Sequence, residues 1–294
     1  MFDFGKLALI SKRLSGGSSI NQQVTKIAPM AQPRARGEAR LSSKLVTGRS
    51  CLDGLRQSGA SKILFPSGRP HLEAILINTA GGVTGGDRFR LEAEAGPGSR
   101  LTMTTQAAER AYRAQPGEIG RVSTRLSVGA GARLDWLPQE LILFQGAAME
   151  RRLDIELAED ASLLMVEPII FGRRAMGERL SSAEFRDRIE VRRNGRPLYL
   201  DGVRLSGDLT RALSSDVTAG GAGAVASLLY VAQDAGSHLG ALRAMLPPTG
   251  GASLLAPDVL ALRCLAPDSF ELRRALLPIL DRLTGHTLPT SWRL

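Results

Sequence analysis

A strand–turn–strand pattern that returns roughly every 30 residues constrains this chain more than any other feature. Residues 90–105 read RLEAEAGPGSRLTMTT, residues 125–138 RLSVGAGARLDWLP and residues 154–168 DIELAEDASLLMVEP. In each, an alternating apolar–polar run meets a turn rich in Gly or acidic residues, and a second alternating run follows. Leu91, Leu126 and Ile155 align between the units. So do Leu101, Leu134 and Leu163, and then Met103, Trp136 and Met165. Period-2 alternation puts these side chains on one face. One unit cannot bury that face alone, but stacked units bury each other's. A fourth run, IEVRRNGRPLYL (189–200), carries Asn194-Gly195, the strongest short hairpin signal. The expectation is a mainly β fold: strand hairpins in stacked antiparallel or mixed sheets, in an irregular β-helical arrangement with a few late helices.

Two segments have helical signals. SHLGALRAML (237–246) starts at a capping residue, Ser237, and stops before Pro247-Pro248. PDSFELRRALLPILDRLTG (267–285) has an Asp/Ser start, apolar residues at helical spacing and Gly285 beyond its end, with Pro278 expected to kink it. TTQAAERAYRAQ (104–115) suits a helix by composition, but its place directly after a strand unit favours extended structure. Residues 1–35 mix Gly, Ser, Gln, Pro and basic residues and read as a disordered leader. Residues 36–294 read as one mainly-β domain.

Composition narrows the chemistry. The net charge is +9, yet only five of the 38 basic residues are lysine, all before residue 63. The arginines are spread along the chain, and no helix-turn-helix, zinc-finger or RNA-binding signature accompanies them, so nucleic acid is not expected as a partner. The excess of arginine fits either codon bias or an acidic partner. No apolar run approaches 18 residues, so no membrane-spanning helix is expected. Cys51 and Cys264 form no framework and no CxxC pair, which points to the cytoplasm. His71, His238 and His286 lie far apart and outside metal-ligand spacing. There is no GxSxG elbow, so no catalytic residue is assigned.

NTAGGVTGGDRF (78–89) holds four glycines in six positions. Such a run either cradles a ligand with backbone amides or lets a strand turn where side chains do not fit. Asp87 stands where a phosphate loop needs lysine, and strands rather than a helix flank the run. Turn geometry is the better account.

LINTAGGVTGGDRF, TTQAAERAYRA, LDWLPQELILFQGA and EPIIFGRRAMGE, in this order, resemble the signature blocks of the UreD (UreH) family of urease accessory proteins. The resemblance runs from about residue 55 to about residue 202, weakens through 219–226 and returns modestly toward the C-terminus. It implies a non-enzymatic scaffold that assembles with UreF, the GTPase UreG and apo-urease, as a dimer of heteromers with UreF. It implies no tightly bound cofactor, only nickel in transit to the urease site, and a mainly β fold. A conduit must attract Ni²⁺ without holding it, which suits spaced carboxylates better than a tight N/S site. Asp87, Glu140 and Glu167 are the candidate metal-path carboxylates. Each of them either lines such a path or pairs with a nearby arginine such as Arg88, Arg173 or Arg174. Two other readings stay open from the residues alone: a structural β-solenoid interaction protein, and a hydrolase using paired carboxylates.

Overall fold

A computed structural model of the chain describes residues 32–293. Residues 1–31, most of the expected leader, lie outside the described residues. Among those described, the chain begins with β1 (Arg36–Val46), β2 (Arg49–Gly59), β3 (Ser61–Leu64) and β4 (Leu72–Asn78). The stacked middle follows: β5 (Arg88–Ala95), β6 (Arg100–Thr105), β7 (Glu109–Ala111), β8 (Gly120–Val128), β9 (Arg133–Leu137), β10 (Leu141–Leu143), β11 (Ala148–Leu157) and β12 (Ser162–Phe171). Then come β13 (Ala183–Arg193), β14 (Arg196–Gly207), α1 (Leu209–Leu213), β15 (Ala224–Val231), α2 (Ala235–Met245), β16 (Gly250–Ala256), β17 (Val259–Ala266) and α3 (Ser269–Thr284).

These strands form two stacked sheets. Sheet A runs in the order β14-β13-β11-β8-β5-β1-β2, and sheet B in the order β16-β17-β15-β12-β9-β6-β4-β3, with β7 and β10 beside it. The solenoid-like, mainly β stack expected from the repeat is therefore present. The repeat units, however, are arches and not hairpins. The two strands of a unit lie in different sheets (β5 in A and β6 in B, for example), and each pairs in parallel with its counterpart in the next unit. Alternation cannot separate the two cases. A hairpin and an arch both gather the apolar residues on one side, and only the bend of the turn decides whether the second strand pairs with the first or faces it across a core. The stacked turns hydrogen-bond one another, as in Gly129 N to Ala95 O at 2.8 Å and Ala158 N to Val128 O at 2.9 Å.

Register tests the alignment directly. Leu101, Leu134 and Leu163 are neighbours across β6, β9 and β12, and so are Met103, Trp136 and Met165. In sheet A, Ile155 pairs with Leu126, but Leu126 pairs with Ala93, so Leu91 is displaced by one inward position. The fourth unit is a true hairpin: β13 and β14 are antiparallel, and Asn194 and Gly195 both take positive φ in its turn.

Three apolar clusters follow. The largest lies between the sheets and includes Leu101, Met103, Leu126, Leu134, Leu153, Leu163 and Met165. A second sits on the outer face of sheet B, where α3 places Leu272, Leu276, Ile279, Leu280 and Leu283 in the same cluster as Leu164, Val166 and Leu228. Each such side chain contributes about 1.5–3 kcal/mol by leaving water. β12 joins both clusters, so nearly all of it is buried and its alternation is lost. A third cluster closes the end of the stack near β10 and α1.

The late helices occupy the expected segments, with one corrected cap. α3 is capped by Asp268, whose side chain accepts from Glu271 N, and ends at Gly285 with φ 64°. It runs through Pro278 to Thr284. Asp234, not Ser237, precedes α2, and Ser237 lies inside the helix with its hydroxyl on Asp234 O. The 104–115 segment is extended at Thr104, Thr105 and Glu109–Ala111, with bends between and an isolated bridge from Arg113 to Ala147. Helix α1, of five residues, is an element the sequence reading did not anticipate.

Candidate functional site

Inward positions between the sheets are mostly apolar, and among the charged residues that break the pattern are Arg151, Glu167, Asp187, Asp201 and Arg263. β11 turns Met149, Arg151, Leu153, Ile155 and Leu157 the same way, β12 turns Leu163, Met165, Glu167, Ile169 and Phe171, and β13 turns Ala183, Phe185, Asp187, Ile189 and Val191. On β14 the equivalent exception is Asp201. Arg151 and Asp187 are direct neighbours in register. Arg151 Nε donates to Asp187 Oδ1 at 3.0 Å and Nη2 to Oδ2 at 2.5 Å. Its third nitrogen, Nη1, lies 2.6 Å from Glu167 Oε2. Trp136 Nε1 donates to Glu167 Oε1 at 2.6 Å.

This cluster holds two carboxylates and one guanidinium. Because Asp187 takes the bidentate side of Arg151, Glu167 is the less compensated acid. Its Oε2 meets Arg151 Nη1 as an ion pair at 2.6 Å rather than as an aligned hydrogen bond. Burial pushes the Glu167 carboxyl pKa up, against the pull of Arg151. Burial also works against the Arg151 charge, but Asp187 and Glu167 outweigh it and raise the guanidinium further.

Glu167 and Asp187 open onto a cleft of about 450 Å³ where sheets A and B part near β14 and β17. Asp201, Ser227 and Arg263 lie on its wall, and Ile169, Val203 and Leu265 supply apolar lining. Asp201 pairs with Arg263, which holds its carboxyl below the ordinary range although burial opposes this. The three carboxylates outnumber the two guanidiniums paired with them, Arg151 and Arg263, so the site keeps an excess negative charge. No three His, Cys, Asp or Glu groups come together in metal-holding geometry among the described residues.

The three expected path carboxylates are not brought together. Glu167 lines the cleft; Asp87 and Glu140 do not. Asp87, at the end of the glycine run, accepts from Ala35 N at 2.7 Å and Thr84 N at 2.9 Å. Its partners are backbone amides rather than Arg88. Glu140 receives two hydrogen bonds from Arg273 on α3, at 3.1 and 3.0 Å. Arg173 pairs instead with Glu178, and Arg174 reaches the backbone carbonyl of Gly221. The arginine partners of Glu167 and Glu140 are thus Arg151 and Arg273. Glycine is required in the run itself: a Cβ on Gly82 would come within 2.8 Å of Arg110 O, and Gly86 has φ +83°.

A second polar cluster binds the last helix to sheet B. Asp135 is fully buried and accepts from Arg100 at 3.1 Å and Arg133 at 2.9 Å. Both guanidiniums also donate to the carbonyls that end α3, Arg133 to Leu283 O at 2.7 Å and Arg100 to Thr284 O at 3.1 Å. Cations suit the negative end of a helix. His71 Nε2 lies 2.7 Å from Thr102 Oγ1, whose hydroxyl points to Asp135. Burial, then the nearby Arg100, lowers the His71 pKa to about 4 from 6.5. Between those values the unfolded chain binds the extra proton, so stability falls as pH drops from about 6.5 to about 4. The urea midpoint should decline through that window, and His71→Asn should flatten the decline. An unchanged slope in the variant would contradict this assignment.

Among the described residues no helix is long and apolar enough to cross a membrane. The family model described as UreD urease accessory protein matches residues 35–293. A protein of Roseobacter denitrificans named urease accessory protein UreD is 56% identical over 266 residues, covering 90% of this chain and 97% of its own length. A protein of the same name from Ruegeria sp. is 54% identical over 277 residues, covering 91% of this chain and 93% of its own. One from Rhizobium etli is 42% identical over 274 residues, covering 92% of this chain and all of its own length. The matched span takes in both sheets, the cleft and the helix clamp, and the chain belongs to the UreD family of urease accessory proteins.

Proposed function

We propose that this chain is a non-catalytic scaffold for urease maturation, assembling with UreF and UreG on apo-urease in the cytoplasm and passing nickel toward the urease site. The family supports a role in urease maturation. The observation that carries the finer reading is the cleft, where Glu167, Asp187 and Asp201 face one space and outnumber the two guanidiniums, Arg151 and Arg263, paired with them. Nickel here is cargo. Hard carboxylates and a hydroxyl bind Ni²⁺ more weakly than imidazole or thiolate, which suits release. Of the three carboxylates expected from the sequence, Glu167 is the path residue in this proposal, with Asp187 and Asp201 beside it. Asp87 and Glu140 hold the fold around it.

The test is the isosteric pair Glu167→Gln/Asp201→Asn in urease-expressing cells. Capture by UreF should be retained, while urease activation should fall to the level of cells lacking this protein. Normal activation would refute the path. Failure of UreF to capture even the unaltered chain would refute the scaffold.

A further inference from the structure

Among the described residues no helix or second sheet covers the outer face of sheet A, and its charges are sorted into rows. One row crosses six strands in continuous register: Arg36, Arg88, Arg121, Glu150, Arg186 and Arg204. All six are exposed. At the usual strand spacing of about 4.8 Å the row is about 24 Å long. The next row holds Arg90, Arg152 and Arg188 against Glu38. Two rows further into the sheet the signs mix, and the side chains pair within the face: Arg125 with Glu92 at 3.5 Å, Arg188 with Glu190 at 2.8 Å, and Arg152 with Asp154 at 2.7 Å.

The first row differs. Arg121 reaches Glu150 at 3.3 Å. Among the described residues, Arg36, Arg88, Arg186 and Arg204 have no ion-pair partner within 4.0 Å. Arg36, Arg88 and Arg121 sit on three adjacent strands, and Arg186 and Arg204 on two more. Like charges directly opposite across strands are unfavourable. The row therefore weakens the fold slightly and is left without its counter-charge, although the same face pairs its arginines elsewhere. Residues 1–31 cannot supply the missing charge: their only acid is Asp3, against Lys6, Lys12, Arg13 and Lys26.

We propose that this arginine row is a docking surface for an acidic protein segment, an extended strip of Asp and Glu side chains lying across sheet A. The guanidinium fork matches a carboxylate in a bidentate way, and a row of forks at strand spacing suits a line of carboxylates. A shallow groove of about 630 Å³ beside Arg36, Arg88, Arg90 and Arg121 gives the segment a seat. Single-stranded nucleic acid is the poorer fit, because such sites interleave several aromatic stacking platforms with the cations, and the one aromatic side chain lining the groove, Phe89, is half-buried.

The test uses the full chain, a fluorescent deca-glutamate peptide and a fluorescent oligothymidylate of equal length, read by anisotropy at low salt. Arg88→Gln/Arg186→Gln/Arg204→Gln should weaken peptide binding about tenfold, the sum of three exposed ion pairs. Arg40→Gln/Arg125→Gln/Arg192→Gln removes the same charge from the mixed rows and should change it less than about twofold. Equal losses in the two triple variants, tighter binding of the oligonucleotide than of the peptide, or no peptide binding by the unaltered chain would each overturn the proposal. Matching urea midpoints for both triple variants would show that any loss is local.

Discussion

Arg151→Met destabilises this protein by about 3–5 kcal/mol, read as a drop in the urea or guanidinium midpoint at constant slope. The reason is what the substitution leaves behind. Asp187 loses two hydrogen bonds at 3.0 and 2.5 Å, and Glu167 loses its only nearby cation. Two carboxylates then face each other between the sheets, where water reaches them only through the cleft. The loss comes from uncompensated charge and not from lost volume, because methionine fills much of the same space. Arg151→Met/Glu167→Gln/Asp187→Asn, which removes all three charges, should therefore be more stable than the single variant. If the triple variant is the less stable of the two, the polar layer stabilises the fold by shape and hydrogen bonding rather than by charge balance.

Asp135→Ala costs about 2–3 kcal/mol, and the damage reaches α3. Asp135 is the only acid between Arg100 and Arg133, whose side chains are about a quarter exposed and can recover some solvation. The expected cost is therefore below that at Arg151. Without Asp135 the two guanidiniums repel each other and lose the geometry that aims them at Leu283 O and Thr284 O. Amide hydrogen exchange should rise in the last turns of α3 before it rises in β6 or β9. Uniform exchange across the sheet and the helix would mean that the clamp does not hold the helix separately.

How much of this was legible in the sequence depends on which kind of pattern carried it. Leu101, Leu134 and Leu163 gave the register of sheet B because the alternation and the turn lengths agreed. Leu91 was misplaced because β5 has alanines at 93 and 95, and small residues blur the phase of an alternating run. The arches read as hairpins because alternation reports which face a side chain takes and not which strand lies beside it. Glu167 was visible as an acid inside the apolar run LLMVEPIIF. Its partner is not one of the nearby arginines in the chain, yet a signal for it exists: Arg151 and Asp187 fall on the inward phase of MERRLDIEL and EFRDRIEV, where every neighbour two residues away is apolar. The partners of Asp87 and Glu140 were hidden for a different reason. A carboxylate satisfied by backbone amides or by an arginine more than a hundred residues away has no local sequence mark.

All four borders of the two sheets are drawn by strands that run against their neighbour: β2 and β14 in sheet A, β3 and β16 in sheet B. The parallel ladder is confined to β1-β5-β8-β11-β13 in sheet A and β12-β9-β6-β4 in sheet B. A second copy arriving at either end meets a strand of reversed polarity, so it cannot continue the parallel ladder coil upon coil. The same reversal makes length a free parameter. An extra arch inserted between β9 and β11 would lengthen the molecule from within and leave the terminating hairpins untouched.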